Sequence, residues 1–149
     1  ANYGSAKMAV IGMMNTLAQE GAKYNIKVNA LAPTAGTRMT EGLIPEKAFD
    51  LLTPETVTPA VLYLVSEEAP TRIIMAAGAG AYSIAKIVET DGVWLAPENQ
   101  TPEGIEDNWE AITSPDGEAV PQAGSEQTVK FLQKAAASLG IDLSSRNGV

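Results

Sequence analysis

Apolar positions in the first twenty residues recur at helical spacing. Val10, Ile11, Met13, Met14, Leu17 and Ala18 fall on more than one face of a helix running from residue 3 to about residue 19. Such a helix needs cover on more than one side. Gly21 is a natural stop, with Lys23 near the carbonyl end of the dipole. Residues 26–32 then read as a short strand with β-branched members, ended by Pro33. After a loop over residues 33–45 rich in Thr and Gly, a helical stretch spans about 45–52, and a second helix runs from Thr58 to Ser66 with Thr58 as cap and Pro59 in the first turn. Residues 72–77 form a second strand candidate, ending in Gly78-Ala79-Gly80. Helix and strand alternating at this distance suit an α/β unit.

The pattern changes after residue 88. From Glu89 to Glu126 there are ten acidic residues and no Lys or Arg, with several prolines, which predicts an extended or loosely structured acidic appendage over 89–149 beside a main body of 1–88. Within it, Thr101-Pro102-Glu103 opens a helix that would place Ile105, Trp109 and Ile112 on one face, with Trp109 as the anchor. A last helix over about 125–139 takes Ser125 as cap, puts Val129, Leu132, Ala136 and Leu139 on one side, and ends at Gly140.

Composition narrows the chemistry. The chain of 149 residues has a net charge of −8, which disfavours nucleic acid and anionic lipid surfaces as partners. It contains neither histidine nor cysteine, so Ser-His-Asp and Cys-His catalysis, Cys/His zinc sites and disulfides within this chain are excluded. No metal site is expected. No apolar run reaches the length of a membrane span and no targeting signal is visible, so the default setting is a soluble, cytoplasmic one. The chain opens at Ala1 directly inside a helix pattern with no strand before it, which suggests a fragment.

Proton chemistry is left to Tyr, Lys, Asp and Glu. Tyr3 and Lys7 stand four apart at the head of the first helix, on one face and one turn apart. Tyr82 and Lys86 share that spacing but lack a following apolar helix, and the spacing alone arises by chance roughly one time in four. Ionising a tyrosine near neutral pH requires about 4 kcal/mol, and a nearby ammonium acts in the right direction. The same lysine has three donors for ribose hydroxyls. Read from the residues alone, the loop at 33–45 is as readily a plain surface connection as a binding loop. Gly78-Ala79-Gly80 reads as a turn rather than a dinucleotide loop, because Ser83 stands where a third glycine would be.

Tyr3-Gly4-Ser5-Ala6-Lys7, the apolar helix, and then Val28-Asn29-Ala30-Leu31-Ala32-Pro33 with its Thr/Gly loop resemble the second half of a short-chain dehydrogenase/reductase. The resemblance implies Tyr3 and Lys7 as catalytic and cofactor-binding residues. It places Pro33, Ala35, Gly36 and Thr37 on the nicotinamide side, and Arg38, Met39, Thr40 and Leu43 in the substrate lid. It further implies NAD as cofactor, with NADP open, and association through the helix at 3–19, either as a homo-oligomer or with an upstream half. Ala32-Pro33-Thr34-Ala35-Gly36-Thr37-Arg38-Met39-Thr40, Gly78-Ala79-Gly80, Thr101-Pro102-Glu103 and Asn108-Trp109 are similar, over about residues 1–112, to (3R)-hydroxyacyl-CoA dehydrogenase units of the D-specific peroxisomal multifunctional type and bacterial relatives. That implies an acyl-CoA substrate, and a peroxisomal setting beside the cytoplasmic default. The family's phosphate loop, adenosine-ribose acid, catalytic serine and active-site asparagine all lie before the tyrosine and have no counterpart here.

The expected fold is therefore α/β, the carboxyl half of a Rossmann-like doubly wound parallel sheet, with its last two strands and their helices and an acidic, partly helical extension. The 149-residue chain is expected to be inactive alone. Alternatives are a steroid, sugar or ketoacyl-carrier substrate for the same family, and a non-catalytic association module built on the first helix and the tail.

Overall fold

The computed structural model describes residues 1–38, 42 and 45–143. Two compact units divide the chain, Ala1–Lys86 and the part from Ile87 onward.

In the first unit, helix α1 spans Asn2–Gly21. It buries Met14, Ala18 and Gly21 and half-buries Ile11 and Asn15, a single stripe at the i, i+3, i+4, i+7 spacing. Val10, Met13 and Leu17 form the second apolar face anticipated from the sequence and are exposed. Gly21 is not the left-handed stop. It lies at φ −79°, and a 3-10 turn over Ala22–Tyr24 extends the rod to Asn25, which takes the left-handed conformation at φ 56°. Gly21 serves close packing instead, since a Cβ there would sit 2.9 Å from Cβ of Ile26.

Strand β1, Ala30–Pro33, is shorter than residues 26–32 suggested. The reason is that side chains make the pairing ahead of it. Asn29 Oδ1 accepts from the Ile73 N–H at 3.0 Å and its amide donates to the Pro70 carbonyl at 2.8 Å, while Thr71 Oγ1 accepts from Val28 N–H at 3.0 Å. Strand β2, Ile74–Gly78, runs parallel to β1 with Ala30 opposite Ile74 and Pro33 opposite Ala77.

The structure has a third strand that the sequence pattern does not predict. Strand β3, Ala81–Ala85, pairs antiparallel with β2, so the sheet is mixed, ordered β1-β2-β3, rather than parallel with two strands. Ala79 at φ 50° and Gly80 at φ 74° make the two-residue hairpin turn whose twist matches its flanking strands. The turn reading of Gly78-Ala79-Gly80 therefore stands. Between β1 and β2 lie α2, Glu46–Phe49, and α3, Thr58–Leu64. Thr58 lies inside α3 and Val57 is its cap residue, with no side-chain cap bond. The small core joins Val57, Ala60 and Ala77, with Leu31, Ala35 and Met75 packed against them.

The second unit has more regular structure than its composition suggested. Helix α4, Pro102–Asp107, is capped as anticipated, Thr101 Oγ1 accepting from Gly104 N–H at 3.0 Å. The helix does not continue through residue 112, because Asn108 leaves helical geometry before α5, Trp109–Thr113. Trp109 is no anchor: it is 59% exposed. The half-buried tryptophan is Trp94, which with Leu95, Ile105 and Phe131 lines a hollow of about 380 Å³.

Helix α6, Gly124–Leu139, starts from Ala123 rather than a Ser125 cap and ends at left-handed Gly140. Ala136 is buried, but Val129, Leu132 and Leu139 are exposed, so the anticipated apolar stripe is not the docking face. Lysines dock the helix. Lys130 pairs with Glu89, and Lys134 with Asp91 at 2.6 Å.

Candidate active site

The head of α1 carries the first group of candidate residues. Helical geometry places Lys7 one turn above Tyr3, and its Nζ stands 5.4 Å from the centroid of the tyrosine ring, within reach of a cation–π contact. The Tyr3 side is open, at 74% exposure, and residues 1–10 are all exposed. The N-terminal turn is held by Ser5, whose N–H and Oγ both donate to the Ala1 carbonyl at 3.1 and 3.0 Å. The competing pair is disposed of by its secondary structure. Tyr82 lies on β3 and Lys86 just beyond it, so at strand rise they stand about 13 Å apart. Tyr82 Oη instead donates to the Thr56 carbonyl at 2.9 Å.

The second group lies at the carboxyl end of β1, the edge at which α/β sheets place ligands. Pro33 is the last strand residue and is exposed. Thr34 N–H donates to the Ala77 carbonyl at 2.8 Å, extending the ladder by one bond. This end of the sheet is tight, because a Cβ on Gly78 would lie 2.5 Å from the Thr34 carbonyl oxygen. Ala35 packs against the Val57, Ala60 and Ala77 core. Gly36 N–H donates to the Leu52 carbonyl at 2.5 Å, and the Phe49 ring lies against its Cα, 3.1 Å from where a Cβ would be. Thr37 and Arg38 are exposed. Met39, Thr40 and Leu43 lie outside the described residues. The candidates thus form two clusters, the α1 head and the β1 rim.

Several supporting contacts had no signal in the sequence. Phe49 and Leu52 brace Gly36, Asn29 staples the entrance to β2, and Arg72 Nε donates to Asn15 Oδ1 of α1 at 3.1 Å. Each contact joins residues too far apart in the chain for spacing to reveal.

What the arrangement can hold is one end of a dinucleotide. An exposed ammonium beside a phenol, and a strand-end loop rich in small residues, fit a ribose and a nicotinamide. They do not provide a pyrophosphate cradle, because Gly78-Ala79-Gly80 is a hairpin turn and leads to no helix N-terminus. Among the described residues there is no cluster of acidic side chains able to hold a metal ion, and no helix is long and apolar enough to cross a membrane.

The chain is similar to several known proteins. Residues 1–48 match the sequence model described as short chain dehydrogenase. The chain is 41% identical over 133 residues to peroxisomal multifunctional enzyme A of Dictyostelium discoideum, covering 89% of this chain and 30% of that protein. It is 41% identical over 131 residues to peroxisomal multifunctional enzyme type 2 of Mus musculus, covering 86% of this chain and 18% of that protein. The solved structure of full-length peroxisomal multifunctional enzyme type 2 from Drosophila melanogaster superposes with a TM-score of 0.76 at 30% identity, over 93% of this chain and 25% of that one. The chain spans less than a third of the length of these relatives. The likeness also runs past residue 112, where the sequence motifs stop, and takes in much of the second unit.

Proposed function

The chain belongs to the short-chain dehydrogenase family, and from that premise we propose that it is the segment of a parent enzyme that carries the acid/base pair for oxidising a (3R)-3-hydroxyacyl-CoA to the 3-ketoacyl-CoA. The observation that carries the proposal is the Tyr3–Lys7 pair, stacked at 5.4 Å on an open helix face. NAD, when bound, supplies the hydride acceptor, with NADP the alternative that the residues leave open. Tyr3 Oη takes the proton of the substrate hydroxyl, and the Lys7 ammonium holds ribose hydroxyls. Pro33, Ala35, Gly36 and Thr37 form the nicotinamide side. Arg38, Met39, Thr40 and Leu43 cover the substrate. The acyl-CoA substrate is supported by the likeness to multifunctional enzymes, and their names favour a peroxisomal setting over a cytoplasmic one.

The test uses the full-length parent. Hydride transfer from a 3-hydroxyacyl-CoA to NAD is measured in the wild type and in Tyr3→Phe, which loses the ionisable oxygen and keeps the ring. A fall in kcat of at least roughly 100-fold is expected, the scale of a lost general base. A fully active Tyr3→Phe sinks the assignment, and a substrate panel including steroid, sugar and carrier-linked carbonyls decides the acyl group.

A further inference from the structure

The rim at the end of β1 is pinned residue by residue. Thr34 N–H donates to the Ala77 carbonyl of β2 at 2.8 Å, Ala35 packs on the Val57, Ala60 and Ala77 core, and Gly36 N–H donates to the Leu52 carbonyl at 2.5 Å. These contacts are internal to the first unit. Chain added around that unit in the parent covers its surface without coming between atoms already in contact.

Gly36 is the position with the least slack. Phe49, the last residue of α2, is half-buried, and its Cε2, Cδ2 and Cζ atoms lie 3.1, 3.2 and 3.2 Å from where a Cβ on Gly36 would stand. Carbon atoms in ordinary contact rest at about 3.5–4.0 Å, so the ring already fills the space of the missing side chain. Room, and not backbone freedom, calls for glycine here, since Gly36 lies outside the left-handed region. Both restraints on Gly36 come from one short stretch of chain. Phe49 N–H donates to the Pro45 carbonyl at 2.9 Å, and Leu52 N–H donates to the Phe49 carbonyl at 3.0 Å, which ties the ring and the accepting carbonyl together. The hydrogen bond to Leu52 sets the direction of the Gly36 peptide, and the Phe49 ring sets its distance from α2.

We infer that Phe49 is a positioning residue for the cofactor. Its ring stands in the place of a Gly36 side chain and so fixes where the loop of Pro33, Ala35, Gly36 and Thr37 meets the nicotinamide, acting through Gly36. The inference rests on the reading of that loop as the nicotinamide side.

ADP-ribose, the dinucleotide without its nicotinamide, separates that end of the cofactor from the rest. In the full-length parent, Kd values for NADH and for ADP-ribose are measured by calorimetry, with NADPH in place of NADH if the wild type prefers it. Gly36→Ala should weaken NADH roughly 10-fold, the size of a modest overpacking cost, and leave ADP-ribose within about 2-fold. Gly36→Ala/Phe49→Leu should return NADH to within about 3-fold of wild type, because the smaller leucine makes room for the methyl group. Phe49→Ala removes the ring and should also weaken NADH while sparing ADP-ribose, and it carries the test if Gly36→Ala fails to fold. Equal weakening of both ligands, or no recovery in the double variant, overturns the inference. If the wild-type parent binds neither NADH nor NADPH more tightly than ADP-ribose, the nicotinamide reading of the loop falls and this inference with it. If the wild type favours the dinucleotide and Gly36→Ala favours it by the same margin, only this inference falls.

Discussion

Gly104 shows how much a single residue can decide. It is buried in α4, and a Cβ placed on it would lie 1.9 Å from the carbonyl oxygen of Asn99, a backbone atom that cannot swing aside. Gly104→Ala should therefore destabilise the second unit by about 1–3 kcal/mol, as overpacking against a fixed neighbour does, read as a lower midpoint in urea unfolding. Nothing in the sequence marks this glycine, since the Asn99 carbonyl that excludes a side chain becomes its neighbour only on folding. Tyr3 and Lys7 are the opposite case. Their spacing within one helix fixed their proximity, so five residues read as helix were enough to put both on one face, where the ammonium lies over the ring. Asn29 lies between the two. Its place in a strand motif is legible in the sequence, and its three hydrogen bonds to residues 64, 70 and 73 make it the staple that begins the parallel pair.

Among the elements, α6 is the one whose attachment depends on pH. The hydrogen bond from Lys130 holds the Glu89 carboxyl below the ordinary carboxylate range, and that from Lys134 does the same for Asp91, in each case against the opposing effect of desolvation. A carboxylate lowered in the folded state stabilises that state above its unfolded value, and the contribution is lost as pH falls through the folded one. Helix α6 should accordingly stay docked at neutral pH and loosen as pH falls below the ordinary carboxylate range and through the lowered folded values. Amide exchange in α6 measured across that range checks this, and Glu89→Gln/Asp91→Asn should show the faster exchange already at neutral pH. The elements also mark where periodicity misleads. The α6 pattern singled out Val129, Leu132, Ala136 and Leu139, yet only Ala136 is buried, because Glu89 and Asp91 draw the lysine side of the helix inward. Strand β3 escaped notice because Ala81, Tyr82, Ser83, Ile84 and Ala85 are all exposed, leaving no buried face to write an alternating pattern.

For the whole molecule, the second apolar face of α1 is the feature with the widest consequence. Val10, Met13 and Leu17 are exposed on a helix whose other stripe is already buried in the first unit. We propose that this face joins subunits of the parent, or another part of it. If it joins subunits, Met13→Glu should shift the full-length protein to roughly half its assembled mass in light scattering, as a buried unpaired charge disfavours the interface. An unchanged mass argues against a subunit contact there. At this scale the division of information is clear in physical terms. The sequence by itself determined what depends on near neighbours: α1 with its two apolar faces, Tyr3 and Lys7 on one face of it, the Thr101 cap, the turn at Gly78-Ala79-Gly80 and the helix end at Gly140, all set by contacts within a few residues. Only the tertiary structure decided the antiparallel third strand, the true ends of β1, the exposure of Trp109, the lysine docking of α6 and the Arg72–Asn15 bond. Those depend on which distant residues share space once the chain has folded, and a linear pattern carries no record of that choice.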